Sequence, residues 1–123
     1  MPYVAAQPET YAGQVVGTGQ CVAYVKTSSG APQTALWQPG GKVKGDATIA
    51  RGTAIATFDA AGQYTNSTDG TSHAAIYVGQ DAVGLQVWDQ WMGQPVHLRT
   101  IRFQGGGPGT KPVNDGDAFF IIA

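Results

Sequence analysis

The sequence predicts one α+β domain: a short N-terminal helix carrying a cysteine, packed on a mostly antiparallel sheet of about five strands. Three observations carry this. Only residues 20–26 show helical spacing, with Cys21, Tyr24 and Val25 at i, i+3 and i+4 on one face. From residue 52 onward, short alternating segments follow one another between Gly, Pro, Asn and Asp turns. The connections between them are mostly hairpin-sized, which favours antiparallel neighbours. At 123 residues the chain is expected to be a single domain spanning 1–123, with no internal repeat and no dividing linker.

The helix begins near Cys21, with Thr18 available as a cap, and Ser28-Ser29-Gly30 followed by Pro32 stops it. Its valines are mediocre helix formers, so packing must hold it. Residues 52–58 alternate as a strand, with either Ala54, Ala56 and Phe58 or Ile55 facing the core. Residues 59–72 form a loop dense in Gly, Asn, Ser, Thr and Asp. Residues 73–78 are apolar on both faces after His73, as in a central strand. Gly79-Gln80-Asp81 turns, and residues 85–91 alternate strictly. After Gly93-Gln94-Pro95, residues 96–103 alternate with Val96, Leu98 and Phe103 expected to face inward and His97 to face solvent. A Gly/Pro loop occupies 104–112, Asn114-Asp115-Gly116 turns, and a last strand covers 117–122.

Composition excludes several classes. Charged residues make up 12%, about half the usual share, and the formal net charge is −1. Nucleic-acid binding rests on phosphate neutralisation, and a polybasic membrane surface needs clustered Lys and Arg; neither suits this chain. No apolar run approaches the ~20 residues of a membrane helix. The first residues show neither a basic n-region nor an apolar h-region, so no ordinary signal peptide is expected. One cysteine precludes an intrachain disulfide, and Cys21, His73 and His97 match no compact zinc spacing.

The chemistry-bearing residues fall in a telling order. Cys21 stands at a helix start, where unpaired N–H groups and the positive dipole end favour a thiolate and can hold an oxyanion. His73 opens the central strand as the candidate base, with small Ala75 two along on its face to let a helix approach. Asp89 lies on the next strand, on the face of Val87 and Trp91, where a carboxylate needs a partner such as a histidine N–H. Each has an ordinary rival reading: a lone cysteine is most often a small buried hydrophobe, and tryptophans are most often core or rim. The order, rather than any single residue, carries the argument.

That order resembles a known family. Gly19-Gln20-Cys21-Val22-Ala23-Tyr24-Val25 is similar to the Gly-Gln-Cys-x-x-Tyr-Val stretch of the CHAP family, the cysteine, histidine-dependent amidohydrolases/peptidases. Ser72-His73-Ala74-Ala75-Ile76-Tyr77-Val78 resembles their Gly-His-Val-Ala-Ile-Val strand, and residues 85–91 resemble their strand carrying Glu-x-Asn. The resemblance spans residues 18–122 and implies a papain-like fold of the CHAP and NlpC type. It is nearest to small free-standing bacterial members, some linked to type VI secretion effectors.

The resemblance implies Cys21 as nucleophile, His73 as base and Asp89 in place of the family's Glu. The family's Asn falls on Trp91, so the third role rests on Asp89, or on Gln90 if the strand is bulged. Gln20 is the implied oxyanion contributor. The implied reaction is hydrolysis of an amide bond in a peptidoglycan peptide, without a cofactor, by a monomer exported without a signal peptide into a target-cell periplasm. A cognate immunity protein is an implied partner. Two other readings stand beside it: deamidation of protein glutamine by the same residues, and a carbohydrate-binding module using Trp37, Trp88 and Trp91.

Overall fold

The computed structural model describes residues 2–106 and 109–123. Residues 107 and 108 of the expected Gly/Pro loop, and Met1, lie outside the described residues. One α-helix, α1 (Cys21–Ser29), precedes six strands: β1 (Pro39–Lys42), β2 (Ala54–Thr57), β3 (Ala74–Gln80), β4 (Gly84–Trp91), β5 (Gln94–Arg102) and β6 (Phe119–Ile122). They form one sheet in the order β1-β6-β2-β3-β4-β5, and every pairing is antiparallel. The α+β class and the helix-on-sheet arrangement are those the sequence predicts. Among the described residues no helix is long and apolar enough to cross a membrane.

The sixth strand is the one without a sequence pattern. β1 reads Pro-Gly-Gly-Lys and sits at the sheet edge against β6 in an irregular register. Backbone bonds hold it: Gln38 and Ala123 exchange a pair at 3.2 and 2.8 Å, and Val43 N–H donates to Phe119 O at 3.1 Å. Proline is admissible there because an edge position does not demand its missing N–H. Residues 117 and 118, expected to start the last strand, instead belong to a 3₁₀ turn over Gly116–Ala118 capped by Asp115, whose carboxylate accepts from Asp117 N–H.

The sheet separates two apolar layers. On the helix side, Tyr24 and Val25 pack with Ala54, Ala56, Ala74, Ile76 and Val96. On the other, Ile55, Ala75, Leu85, Val87, Ile101 and Phe119 pack with Val43. Both faces of β2 are therefore buried, which resolves its ambiguous alternation. The alanines that let α1 approach are Ala54, Ala56 and Ala74; Ala75 faces the far layer. Leu98, expected inward, is 54% exposed, and Ile101 fills the core instead. A nine-residue helix has little stability alone, so α1 depends on this packing. Each fully buried Val- or Leu-sized side chain contributes about 1.5–3 kcal/mol. Tyr24 is buried with its hydroxyl satisfied, donating to Pro8 O at 2.9 Å. The helix ends at Gly30, left-handed at φ 76°, with its N–H on Lys26 O.

Gly52 joins the N-terminal segment to the sheet. Its N–H donates to Tyr77 O and its carbonyl accepts from Ala5 N–H, both at 2.7 Å, at φ 96°. A Cβ at Gly52 would collide with the Ala5 carbonyl oxygen. Gly52→Ala is expected to destabilise the fold by about 2–3 kcal/mol, read as a lowered urea midpoint with unchanged slope.

Candidate functional site

The site lies at the end of the sheet where α1 begins. Gln20 is the residue before the first helical turn, extended at φ −79°, ψ 155°, and its side chain caps nothing. The Thr18 hydroxyl is 3.4 Å from Gln20 N–H and does not reach the helix, so it is not the cap the sequence suggests. The turn is held from outside by Gln90. The buried Gln90 carboxamide accepts from Val16 N–H at 2.9 Å and donates to Val16 O and Gln20 O, both at 2.8 Å. Those bonds place Cys21 as the first residue of α1.

His73 is the last residue before β3. Its backbone N–H donates to Thr57 Oγ1 at 3.1 Å, and its carbonyl accepts from Thr57 N–H at 3.0 Å. Its side chain is almost fully buried, with Nε2 2.7 Å from Asp89 Oδ2. That leaves Nδ1 as the ring nitrogen for Cys21. Asp89 is 0% exposed on β4, at the point where β4 leaves regular register with β5 between Asp89 and Trp91. Asp89 stays on the face of His73, whereas Gln90 faces the helix side. Gln90 therefore does not reach the His73 ring, and the irregularity does not reverse the strand.

Asp89 has two further neighbours from β5. Arg99 Nε donates to the same Oδ2 at 2.7 Å. His97, paired across the strands with Asp89, brings Nε2 to 3.1 Å from Oδ1, but off the line of a hydrogen bond. His97 is thus not the solvent-facing residue expected; its ring also meets Trp91 edge-on at 5.0 Å. Arg99 lies over the Trp91 ring at 5.1 Å.

Tyr64 completes the surroundings of Cys21, its hydroxyl 3.6 Å from Sγ. Tyr64 stacks against Trp37 at 4.8 Å and meets Phe58 edge-on at 6.4 Å, which fixes a ring emerging from the polar 59–72 loop. Sequence reasoning passed over it; the available signal was a lone aromatic in a Gly/Ser/Thr-rich stretch. Trp37 and Trp88 pack into the helix-side layer, and only Trp91, 41% exposed, reaches this cavity. The three tryptophans do not form a carbohydrate-binding surface.

Electrostatics couple the cysteine and the histidine. Burial alone would push the Cys21 thiol up. The His73 ring, by hydrogen bond and by charge, outweighs it together with the Tyr64 hydroxyl and the Ala74 backbone, and the thiol lies below its ordinary value. Burial would push His73 down, but hydrogen bonds to Asp89 and Cys21, with the charges of both, raise it from 6.5 to about 9. Burial, and next the nearby Cys21, push the Tyr64 hydroxyl up, so it remains a donor. The lowered thiol and the raised imidazole both favour a thiolate beside an imidazolium over a neutral pair. Both line a cavity of about 420 Å³, together with Gln20, Tyr64, Trp91 and Arg99. Among the described residues no cluster of three His, Cys, Asp or Glu side chains is arranged to hold a metal.

A single cysteine at a helix start, beside a histidine that a buried carboxylate holds, fits a cysteine-dependent hydrolase on an α+β scaffold. The chain belongs to the domesticated amidase effector 2 family, whose profile matches residues 2–122. It is 35% identical to the type VI secretion amidase effector 2 protein of Salmonella typhi, covering 99% of both chains. It is 37% identical to domesticated amidase effector 2 of Ixodes scapularis, over 95% of this chain and 82% of that one. The solved structure of a type 6 secretion amidase effector 2 superposes with a TM-score of 0.86 at 36% identity, covering 99% of this chain and 94% of that one.

Three outcomes are expected. Cys21 should alkylate with iodoacetamide below pH 7 faster than a model thiol of pKa ~8.5, and Tyr64→Phe should slow that reaction by removing a donor to the thiolate. The thiolate–imidazolium absorbance should appear as pH rises through the lowered Cys21 value. Imidazolium should then be lost as pH rises through about 9, giving turnover an alkaline limb there. Gln90→Ala should cost about 1–3 kcal/mol in a urea titration, because it strands the buried Val16 N–H, while the Val16 carbonyl keeps its bond from Gly19 N–H.

Proposed function

We propose that this chain is a cysteine amidase that hydrolyses amide bonds in peptidoglycan peptides, acting as a secreted effector in the target-cell periplasm. The supporting observation is the chain of contacts from Cys21 through His73 to Asp89 at the rim of one cavity. Membership of an amidase effector family supports the bond type, and its similarity to type VI secretion amidase effectors supports a type VI route. That route needs no signal peptide, and a cognate immunity protein belongs with it.

In the proposed mechanism, the Cys21 thiolate attacks the substrate carbonyl carbon and forms a tetrahedral intermediate. The oxyanion is held by the backbone N–H of Cys21, which like every first-turn N–H has no intrahelical partner, and by the Gln20 carboxamide. When the C–N bond breaks, the leaving amine takes the proton from His73 Nδ1. Water then attacks the thioester while His73 accepts its proton, and Cys21 leaves as thiolate. Asp89 fixes the tautomer and stabilises the imidazolium through both stages. Tyr64 supports the thiolate before attack.

Purified peptidoglycan incubated with the protein and resolved by mass spectrometry tests this directly. New amine and carboxyl termini are expected with the wild type and none with Cys21→Ala, which should keep the fold. Intact peptidoglycan with folded wild-type protein would overturn the reading, and ammonia released from protein glutamine would favour deamidation instead. Asp89→Asn should lower turnover by roughly 10- to 10⁴-fold, less than Asp89→Ala, since the amide keeps part of the orientation and none of the charge.

A further inference from the structure

Beside the Cys21–His73 pair, the cavity wall is built from neutral groups with one exception. Asn66, Ser67, Thr68, Ser72 and Asn114 bring amides and hydroxyls, and Arg99 brings a permanent cation. Arg99 is not a loose surface arginine: its side chain is 21% exposed and held at two points. Nε donates to Asp89 Oδ2 at 2.7 Å, and the guanidinium lies over the Trp91 ring at 5.1 Å. A guanidinium carries five N–H donors, of which Nε supplies one. Among the described residues the two Nη groups make no hydrogen bond to protein. An arginine anchored through Nε keeps its remaining fork in the geometry that matches a carboxylate.

We infer that Arg99 is a specificity-determining residue: its Nη fork takes the free carboxylate of an anionic peptide substrate, borne on the residue that flanks the scissile amide. This rests on the amide-hydrolase reading above. The placement follows from one shared atom. Arg99 Nε and His73 Nε2 both bond Asp89 Oδ2, so the guanidinium lies within two hydrogen-bond lengths of the ring that serves Cys21. Any residue joined at the scissile amide that keeps an unlinked carboxyl group presents such a carboxylate. Converting that carboxylate to a carboxamide removes the charge and leaves the shape. The site should therefore separate the two.

The test uses two matched amide-linked peptides that differ only in this group, carboxylate or carboxamide. The wild type should favour the carboxylate peptide in kcat/KM by roughly 10- to 100-fold, the range of a charge-assisted hydrogen bond. Arg99→Gln should erase that preference, with KM for the carboxylate peptide rising most, and Arg99→Lys should keep part of it. If Arg99 only supported Asp89, its loss would lower kcat on both peptides alike and leave the preference standing. A readout without turnover comes from calorimetry in Cys21→Ala: tighter binding of the carboxylate peptide is expected, and Arg99→Gln in that background should remove the difference. Equal cleavage of both peptides by the wild type overturns the subsite and leaves the amidase reading intact. Cleavage of neither by folded wild type, together with intact peptidoglycan, overturns the amidase reading itself.

Discussion

A carboxylate sealed from water is the constraint around which this site is arranged. Asp89 has no solvent exposure, and an unpaired charge in such a place costs several kcal/mol after relaxation. It is tolerated because cationic donors arrive from two directions. His73 comes from the start of β3, and Arg99 from β5, both on the same oxygen at 2.7 Å. The demand also runs the other way. A histidine held between an acid and a thiol has its value raised to about 9, and its charge in turn lowers that of the thiol. Removing the carboxylate would loosen the ring, leave the arginine without its anchor and return the cysteine toward ordinary thiol chemistry.

The neighbouring residue performs the matching task on the opposite face. Successive side chains of a strand point to opposite sides, so Asp89 and Gln90 reach the His73 ring and the segment before Cys21 respectively. Asp89 fixes the histidine; Gln90 fixes the turn that delivers the cysteine. One dipeptide of β4 thereby sets the position of Cys21 and His73 together. The β4–β5 irregularity beside it opens room for Trp91 to lean over His97 and Arg99 without turning the acid away.

Much of this was readable from the chain. Tyr24 and Val25 at helical spacing placed α1, and the αL cap at Gly30 ended it where the glycine stood. Cys21, His73 and Asp89 were legible because local pattern already assigns each to the start of a helix, the start of a strand or one face of a strand. The rest depended on pairings that periodicity does not encode. Arg99 and His97 sat on what read as a polar, solvent-facing edge. Only the register Asp89↔His97 brings that edge against the acid. Tyr64 came from a loop whose course is set by packing on Trp37 and Phe58 rather than by its own sequence pattern. β1 has no alternation to read, since its place rests on backbone bonds to a strand near the other end of the chain. Gln90 was weighed as a partner for the histidine, when the same side chain serves the turn before the cysteine.

The spread of these residues along the chain has a consequence for the making of the molecule. Cys21 is among the first parts of the site to be synthesised, and Asp89 and Arg99 are among the last. Closing contacts between segments so far apart is slow compared with local winding, because a long loop must be ordered first. Until α1 settles over β3 and β4, the sulfur has neither its imidazolium nor its tyrosine donor, and it behaves as an ordinary, largely protonated thiol. The nascent or unfolded polypeptide thus carries an ordinary thiol, and the contacts of Cys21 with His73 and Tyr64 come into being only on completion of the tertiary structure.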